Sequence, residues 1–216
     1  MKIIFFGPPG SGKGTQAKLI TKKFNIFHIS PGDILRKEIS KKTTLGKIIQ
    51  HNMNHGKLID DNIILDLVQK KINQKKFTNG FILDGVPRTI IQAKEIEKKN
   101  IYINYIIEFI LPLEKIYERI LGRRIHKESG RTYHIKYHPP KIKNRDDITN
   151  DELTIRKDDN IHIINTRLFE YQKMKTEIIK FYDNKIKKKK IRYYKINAAQ
   201  KIEKIYKEIK ENLQKI

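Results

Sequence analysis

The sequence predicts an α/β fold in which a parallel five-stranded sheet carries helices on both faces. Five short apolar segments alternate with helical patterns along the 216 residues, and this alternation is typical of parallel strands joined by helices. A glycine-rich loop follows the first apolar segment, as in proteins that bind phosphate groups. One polar stretch, residues 122–159, has few long apolar runs and predicts a small β-rich insertion that could move as a lid.

The first strand is predicted at residues 2–6, and a glycine loop at residues 7–15 follows it directly. The spacing of its glycines and Lys13 fits the Walker A pattern of P-loop proteins, although Gly14 displaces the hydroxyl to Thr15. Glycines let backbone N–H groups converge on an anion, the next helix adds its positive end, and the lysine adds a full charge. The loop is therefore predicted to hold phosphate.

The remaining elements are predicted from the same two periodicities. Further strands are expected at residues 24–30, 81–84, 105–109 and 191–196. Helices are expected at 62–76, 92–99, 113–121, 163–183 and 202–213, with shorter helical patterns between 30 and 60. Asp84 ends its strand as a Walker B carboxylate does, and Arg88 follows at the sheet edge where ligands of open α/β sheets bind.

Composition narrows the function classes. Cysteine is absent, which removes disulfides and thiolate metal sites and fits a reducing compartment. No signal peptide fits before the first strand, and no apolar run approaches the roughly 18 residues of a membrane span, so we expect a soluble, cytoplasmic protein without a membrane partner. The net charge of +23 would suit a phosphate-rich partner, but the lysines are dispersed, and the densest run, at 187–190, is expected to be a solvated loop.

Several motifs spread along the chain carry a resemblance. They are the loop at 7–15, Gly32-Asp33-Ile34-Leu35-Arg36, Asp84-Gly85-Val86-Pro87-Arg88-Thr89, Gly122-Arg123-Arg124 and Thr154-Ile155-Arg156-Lys157-Asp158-Asp159. Together they resemble the long-form bacterial adenylate kinases over essentially the whole length. The resemblance implies the reversible reaction ATP + AMP = 2 ADP, with Mg²⁺ required, in nucleotide homeostasis and purine salvage.

The resemblance also implies three parts and a set of partners. The parts are a P-loop core at residues 1–29, 60–121 and 160–216, a nucleoside-monophosphate-binding domain at 30–59 and a lid at 122–159. The partners are the small nucleotides ATP, AMP and ADP, with no specific nucleic acid, and the oligomeric state expected by default is a monomer.

Carried over position by position, the resemblance implies two nucleotide sites. ATP would contact Gly10, Ser11, Gly12, Lys13, Gly14, Thr15, Arg119, Arg123, Thr132, Tyr133 and Gln200. AMP would contact Pro31, Arg36, Lys57, Leu58, Ile59, Gly85, Val86, Pro87, Arg88, Gln92, Arg156 and Arg167. The catalytic set would be Lys13, Arg88, Arg123, Arg156 and Arg167, with Asp158 and Asp159 anchoring arginines and Asp84 supporting Mg²⁺ through water. This set suits phosphoryl transfer, which needs alignment and positive charge more than a strong base.

Three positions depart from the family pattern. Pro31 stands where a threonine hydroxyl usually contacts AMP, Val86 replaces a phenylalanine, and Ala198 stands where an Asp-Gly pair often lies beside the ATP base, so Gln200 is a doubtful ATP contact. Base preference is thus predicted less directly than reaction type. A kinase that accepts UMP or CMP, or uses GTP, stays open, although the long insertion argues against the short-lid pyrimidine enzymes.

Two other classes of protein would also contain a glycine-rich phosphate loop. A basic nucleic-acid-binding P-loop protein is supported only by the net charge, because the chain has no recognisable nucleic-acid-reading motif. A non-catalytic nucleotide sensor would be expected to have lost arginines that are still present.

The insertion also carries a pattern seen at metal sites. His126, Ser129, Asp146 and Thr149 have the spacing at which some relatives place zinc-binding cysteines. Hydroxyl ligands suit zinc poorly, so we predict a hydrogen-bonded structural cluster and expect no structural zinc. Two further histidines of the insertion, at 134 and 138, are expected to be packing or surface residues.

Overall fold

The structure is a computed structural model, and it describes residues 1–74 and 79–215. Within these ranges the strands are β1 Lys2–Phe6, β2 Phe27–Ile29, β3 Phe81–Asp84, β4 Tyr105–Ile110, β5 Arg123–Ile125, β6 Thr132–His134 and β7 Arg192–Asn197. The helices are α1 Lys13–Phe24, α2 Pro31–Ser40, α3 Thr44–Asn54, α4 Asp61–Ile72, α5 Ile90–Lys98, α6 Leu113–Leu121, α7 Ile161–Lys187 and α8 Ile202–Gln214.

Five strands form one parallel sheet in the order β2-β3-β1-β4-β7. The central strand is β1, whose Ile4 stands opposite Leu83 of β3 on one side and Ile106 of β4 on the other. Most residues of these three strands are buried, because helices cover both faces of the sheet. The predicted α/β fold with a parallel five-stranded sheet is confirmed.

Alternate residues of β1 point to opposite faces of the sheet, so the core is divided into two apolar clusters. Ile4 belongs to the cluster under α4, α5 and α7. Phe5 belongs to the cluster under α1 and α8, where its ring meets the ring of Phe109 edge-on with centroids 5.1 Å apart. Both layers hold the carboxyl ends of the strands in a fixed arrangement, and the loops that leave these ends build the site described below.

Element boundaries differ from the sequence-based expectation around the second strand. The strand predicted from residue 24 begins at Phe27, because Asn25 ends α1 in a left-handed conformation with φ of 51°. The next helix begins at Pro31 rather than at the predicted Ile34, because Ser30 caps it by accepting a hydrogen bond from a backbone N–H of the first turn.

Two further boundaries are the C-terminal ends of α7 and α4. The helix α7 is longer than the predicted 163–183 by several residues at its C-terminal end, and the lysine run that follows is exposed. The helix predicted to reach residue 76 is described as far as Ile72, and residues 75 and 76 lie outside the described residues.

The polar stretch between α6 and α7 contains the antiparallel pair β5 and β6, in which Arg124 stands opposite Tyr133. A bridge between Ile125 and Thr154 ties the end of the stretch to its first strand. The stretch is therefore β-rich, as its composition predicts.

Of the helices described, none combines the length and the apolar character that crossing a bilayer requires, and this includes the 27-residue α7.

Candidate active site

The glycine loop between β1 and α1 depends on two residues with positive φ. Gly12 caps α1 with φ of 86°, and Gly10 has φ of 76°. A Cβ on Gly10 would lie 2.8 Å from Cγ1 of Ile120, so the backbone could not approach α6 this closely with any other residue. In the described chain no side chain caps α1, so its first N–H groups are available to an anion.

Lys13 is held inside this loop. Its Nζ donates to two loop carbonyl oxygens at 2.7 and 2.8 Å and contacts the Ser11 hydroxyl at 3.2 Å. The pKa of Lys13 is lowered from 10.5 to about 8, mainly by burial, which Asp84 opposes and neighbouring arginines reinforce. The cation is thus costly to keep in the empty site and would be favoured by a bound phosphate.

A cavity of about 1260 Å³ opens in front of this loop and gathers residues that are distant in the sequence. It is lined by the glycine loop, the start of α2, the segment after α3, the end of β3, α6, the β5–β6 hairpin, α7 and the segment after β7. Every residue that the sequence predicts for the two nucleotide sites lines this cavity, and so do Asp84 and Asp158. Asp159 is not among the lining residues, and it lies behind Arg123.

Arginines from separate segments of the chain line the cavity. Burial, and then the charge of Arg167, lower the pKa of Arg88 to about 10, and burial, followed by the charge of Arg123, lowers the pKa of Arg156 to about 9. Arg167 is anchored by Asp158, whose Oδ2 accepts a hydrogen bond at 3.0 Å. The buried Nε of Arg156 has no hydrogen-bond partner among the described residues. These cations repel one another, and phosphate oxygens are the ligands that would relieve them.

Arg123 is oriented from behind by Asp159. Its Nε donates to one carboxylate oxygen at 2.7 Å and its Nη2 contacts the other, while the Asp159 side chain is completely buried. A two-pronged contact of this kind fixes the plane of the guanidinium. Arg119 has a different neighbour, because its guanidinium lies 5.4 Å from the ring centre of Tyr137.

Asp84 stands at the end of β3, next to the loop. Its Oδ2 lies 3.0 Å from Nε2 of His28, and a Cβ on Gly14 would lie 3.4 Å from the same oxygen. The described residues contain no group of three or more His, Cys, Asp or Glu that could cage a metal ion. One carboxylate beside a phosphate loop and the Thr15 hydroxyl is nevertheless a donor set that fits Mg²⁺, which keeps several waters and binds substrate phosphates.

Gln92, which also lines the cavity, is hydrogen-bonded to other residues of the protein. Its Oε1 accepts from the backbone N–H of Arg88 at 2.7 Å, and its Nε2 donates to Asp61 at 2.7 Å. Asp61 was not predicted from the sequence, and neither was His28. Local spacing gives no signal for either, since each meets its partner only through the fold.

Gln200, which lines the cavity from the segment after β7, is held by that segment. Its Nε2 donates to the carbonyl of Asn197 at 3.2 Å, and the neighbouring Ala198 is completely buried. A group recognising a base here would therefore come from Gln200 or the backbone rather than from position 198.

The insertion contains the predicted hydrogen-bonded cluster. Nδ1 of His126 lies 2.7 Å from the Ser129 hydroxyl, and the Thr149 hydroxyl donates to Asp146 at 3.1 Å. The structure adds Arg131, which sequence reasoning did not identify and which donates to both oxygens of Asp146 at 2.6 and 2.8 Å. These bonds lower the pKa of Asp146 far below its ordinary range, with Arg131 as the main cause.

Two further histidines of the insertion differ in exposure. His134 is buried, and its Nε2 lies 3.2 Å from the carbonyl of Glu118, which makes it a packing residue. His138 is exposed and stacks on the ring of Tyr133.

Comparisons with known proteins show the family of the chain. The family model described as adenylate kinase matches residues 5–187. A protein named adenylate kinase from Buchnera aphidicola subsp. Cinara cedri is 51% identical over 213 residues, which cover 99% of this chain and 97% of the relative. Proteins of the same name from Buchnera aphidicola subsp. Schizaphis graminum and Photorhabdus laumondii are 48% and 44% identical, and each alignment covers at least 97% of both chains.

Proposed function

Because the chain belongs to the adenylate kinase family, we propose that it transfers the terminal phosphoryl group of ATP to AMP and forms two molecules of ADP. It is a nucleoside-monophosphate kinase. One observation carries the proposal for its site: a glycine loop, Lys13 and arginines from separate segments meet around one cavity.

On the donor side, the loop at 10–15 would bind the ATP phosphates. The uncapped start of α1 would bind them through backbone N–H groups, and Lys13 would exchange its loop carbonyl partners for phosphate oxygens. Arg119, Thr132, Tyr133 and Gln200 would contact the rest of ATP. Protonated Lys13 is stabilised by this exchange, so nucleotide binding keeps its charge.

Asp84 and the Thr15 hydroxyl would hold Mg²⁺, with Asp84 acting through water. The ion, when bound with ATP, neutralises phosphate charge and fixes the geometry of the phosphate chain. The contact between His28 and Asp84 keeps the carboxylate directed at the loop.

On the acceptor side, AMP would lie between α2, the segment 57–59 and the end of β3. Arg36 and Arg88 would bind its phosphate, and Gln92 would face its base. Arg123, Arg156 and Arg167 would surround the group in transit and stabilise charge on its equatorial oxygens. A single arginine in this role contributes about 10³–10⁵ in rate, so these residues decide the activity.

We also propose that the chain is divided into the three predicted parts, a P-loop core, an AMP-binding domain and a lid. Residues 30–59 would form the AMP-binding domain and 122–159 the lid, which would close on the core and keep water from the phosphoryl group. Anchoring of Arg123 by Asp159 and of Arg167 by Asp158 supports a closed site of this kind. The protein is further proposed to act as a cytoplasmic monomer on free nucleotides, and light scattering after gel filtration tests the monomer.

A panel assay tests the function. AMP, UMP, CMP and GMP are each offered with MgATP and with MgGTP, and the fastest pair is expected to be AMP with ATP. Lys13→Met and Arg88→Gly are expected to abolish nearly all of this activity, while Lys22→Met on the exposed side of α1 leaves it unchanged. Faster turnover of UMP or CMP would overturn the acceptor, and absence of any transfer would overturn the enzyme.

A further inference from the structure

Two histidines lie one helical turn apart at the end of α3. His51 is in the last turn, and His55 is the residue that caps the helix. Residues four positions apart share one face of a helix, and both side chains are exposed. No role in nucleotide binding or in the lid cluster involves either of them.

The separation of the two rings is close to the one that a shared metal ion would impose. Their centroids are 4.5 Å apart and the rings are tilted by 41°. Two bonds of about 2.1 Å from imidazole nitrogens to one ion, meeting at about 90–110°, place the ring centres roughly 4.6–5.3 Å apart. The observed distance lies just below that span, so the two exposed rings would bind an ion after a small movement apart.

A hydrogen bond selects the nitrogen that would bind. Nδ1 of His55 lies 2.7 Å from the backbone carbonyl of His51, and a carbonyl can only accept. Nδ1 therefore carries the proton, and Nε2 keeps its lone pair free. Metal-binding histidines are usually held in this way, with the second ring nitrogen donating to a carbonyl or a carboxylate.

The end of the helix adds a favourable field. The carbonyl groups at the C-terminus of a helix carry partial negative charge and stabilise a cation. Lys47, one turn before His51, acts against a cation, so the site is expected to exchange its ion rapidly. In the described part of the chain no third His, Cys, Asp or Glu joins the pair, so the other coordination positions would belong to water.

We propose that His51 and His55 form a binding site for a divalent transition-metal ion of the class that prefers imidazole, such as Zn²⁺, Ni²⁺ or Cu²⁺. The ion would join the last turn of α3 to its cap. The chain turns at Gly56 directly after this point, with φ of 68°, and continues into the segment proposed to bind AMP. The site is separate from the Mg²⁺ position beside Asp84.

The test uses the full-length protein without a histidine tag, freed of metal and nucleotide. NiCl₂ is titrated alone in a calorimeter, and the imidazole proton resonances are followed by NMR during addition of the paramagnetic ion. The wild type is expected to bind one ion that broadens the resonances of His51 and His55 first. His51→Asn and His55→Asn should each weaken this binding at least about tenfold, the smallest loss expected when even an outer-sphere partner of a metal is removed.

His162→Asn is the matched control, since it removes one exposed histidine from another helix and should leave binding unchanged. Unaltered circular dichroism of the variants confirms that they fold. Unchanged binding in both α3 variants, first broadening of His126 or another histidine, or no binding by the wild type would overturn the site and leave the pair as a ring contact only.

Discussion

Lys18 of α1 donates a hydrogen bond from Nζ to the carbonyl oxygen of Gly130, 3.1 Å away in the turn between β5 and β6. The contact joins the phosphate-loop helix directly to the insertion proposed as the lid. Lys18→Met should favour the open lid and raise the KM for ATP about 2–5-fold, because an exposed charged hydrogen bond contributes about 0.5–1 kcal/mol.

Steady-state kinetics with varied ATP measure this effect. Lys22→Met, one turn along on the same helix, is the control and should keep the wild-type KM. An unchanged KM in Lys18→Met would mean that the contact does not contribute to closure.

Asp159→Asn tests whether the orientation of Arg123 matters for the reaction. The variant keeps the size of the side chain but removes the charge that holds the guanidinium. We expect kcat to fall about 10–100-fold, the cost of a small misplacement of a group that touches the reacting atoms. Single-turnover kinetics at saturating nucleotide measure the loss.

Glu128→Gln removes an exposed carboxylate from the same insertion and should leave kcat unchanged. An Asp159→Asn enzyme with full kcat would show that Arg123 needs no anchor.

The lowered pKa of Lys13 predicts two opposite effects of pH. As pH rises through about 8, the empty protein loses the Lys13 charge, so its affinity for ATP should fall over this range. In the unfolded chain Lys13 has its ordinary pKa of 10.5. Between pH 8 and 10.5 the unfolded state therefore binds more protons than the folded state. The contribution of Lys13 to the free energy of unfolding should therefore rise with pH in the same window.

Nucleotide titrations and denaturant unfolding from pH 7 to pH 10 measure the two slopes. Lys13→Arg keeps its charge to higher pH, so its ATP affinity should decline less steeply. Equal slopes in both proteins would rule out Lys13 as the titrating group.

Asp146→Asn should loosen the insertion without touching the phosphate loop. The carboxylate accepts from Arg131, from the Tyr133 hydroxyl and from two backbone N–H groups. We expect faster amide exchange throughout residues 122–159, measured by mass spectrometry, with little change in the sheet. Because the folded pKa is depressed, the stabilisation by Asp146 is present above its ordinary value of 3.8 and is lost as pH falls below it.

Glu152→Gln changes an exposed carboxylate nearby and serves as the control for exchange. Wild-type exchange rates in Asp146→Asn would show that the cluster does not hold the insertion together.

Local patterns were sufficient for the sheet, because short apolar runs such as 81–83 are buried on both faces and lack the polar side of a surface helix. Boundaries were less predictable. The end of α1 depends on the left-handed conformation of Asn25, and the early start of α2 depends on a hydrogen bond from the backbone N–H of Asp33 to the Ser30 hydroxyl. Neither feature changes the pattern of apolar residues, so the pattern could not reveal them.

The phosphate loop could be predicted from its spacing, since backbone geometry alone fixes where its glycines stand. Contacts across the cavity could not. Gln92 meets Asp61, and Lys18 meets Gly130, only because the sheet brings distant segments together. The roles of the arginines came from the resemblance, since a lone arginine in a sequence has the same appearance on any surface.

The burial of three cavity arginines links the stability of the folded protein to the concentration of phosphate ligands around it. Arg88, Arg156 and Arg167 are each less favourable as cations in the empty fold than in water. A phosphate compound that binds among them removes this penalty and stabilises the folded chain by an amount that grows with the logarithm of its concentration above the dissociation constant. We therefore expect the protein to unfold at a higher denaturant concentration with nucleotide present than without it.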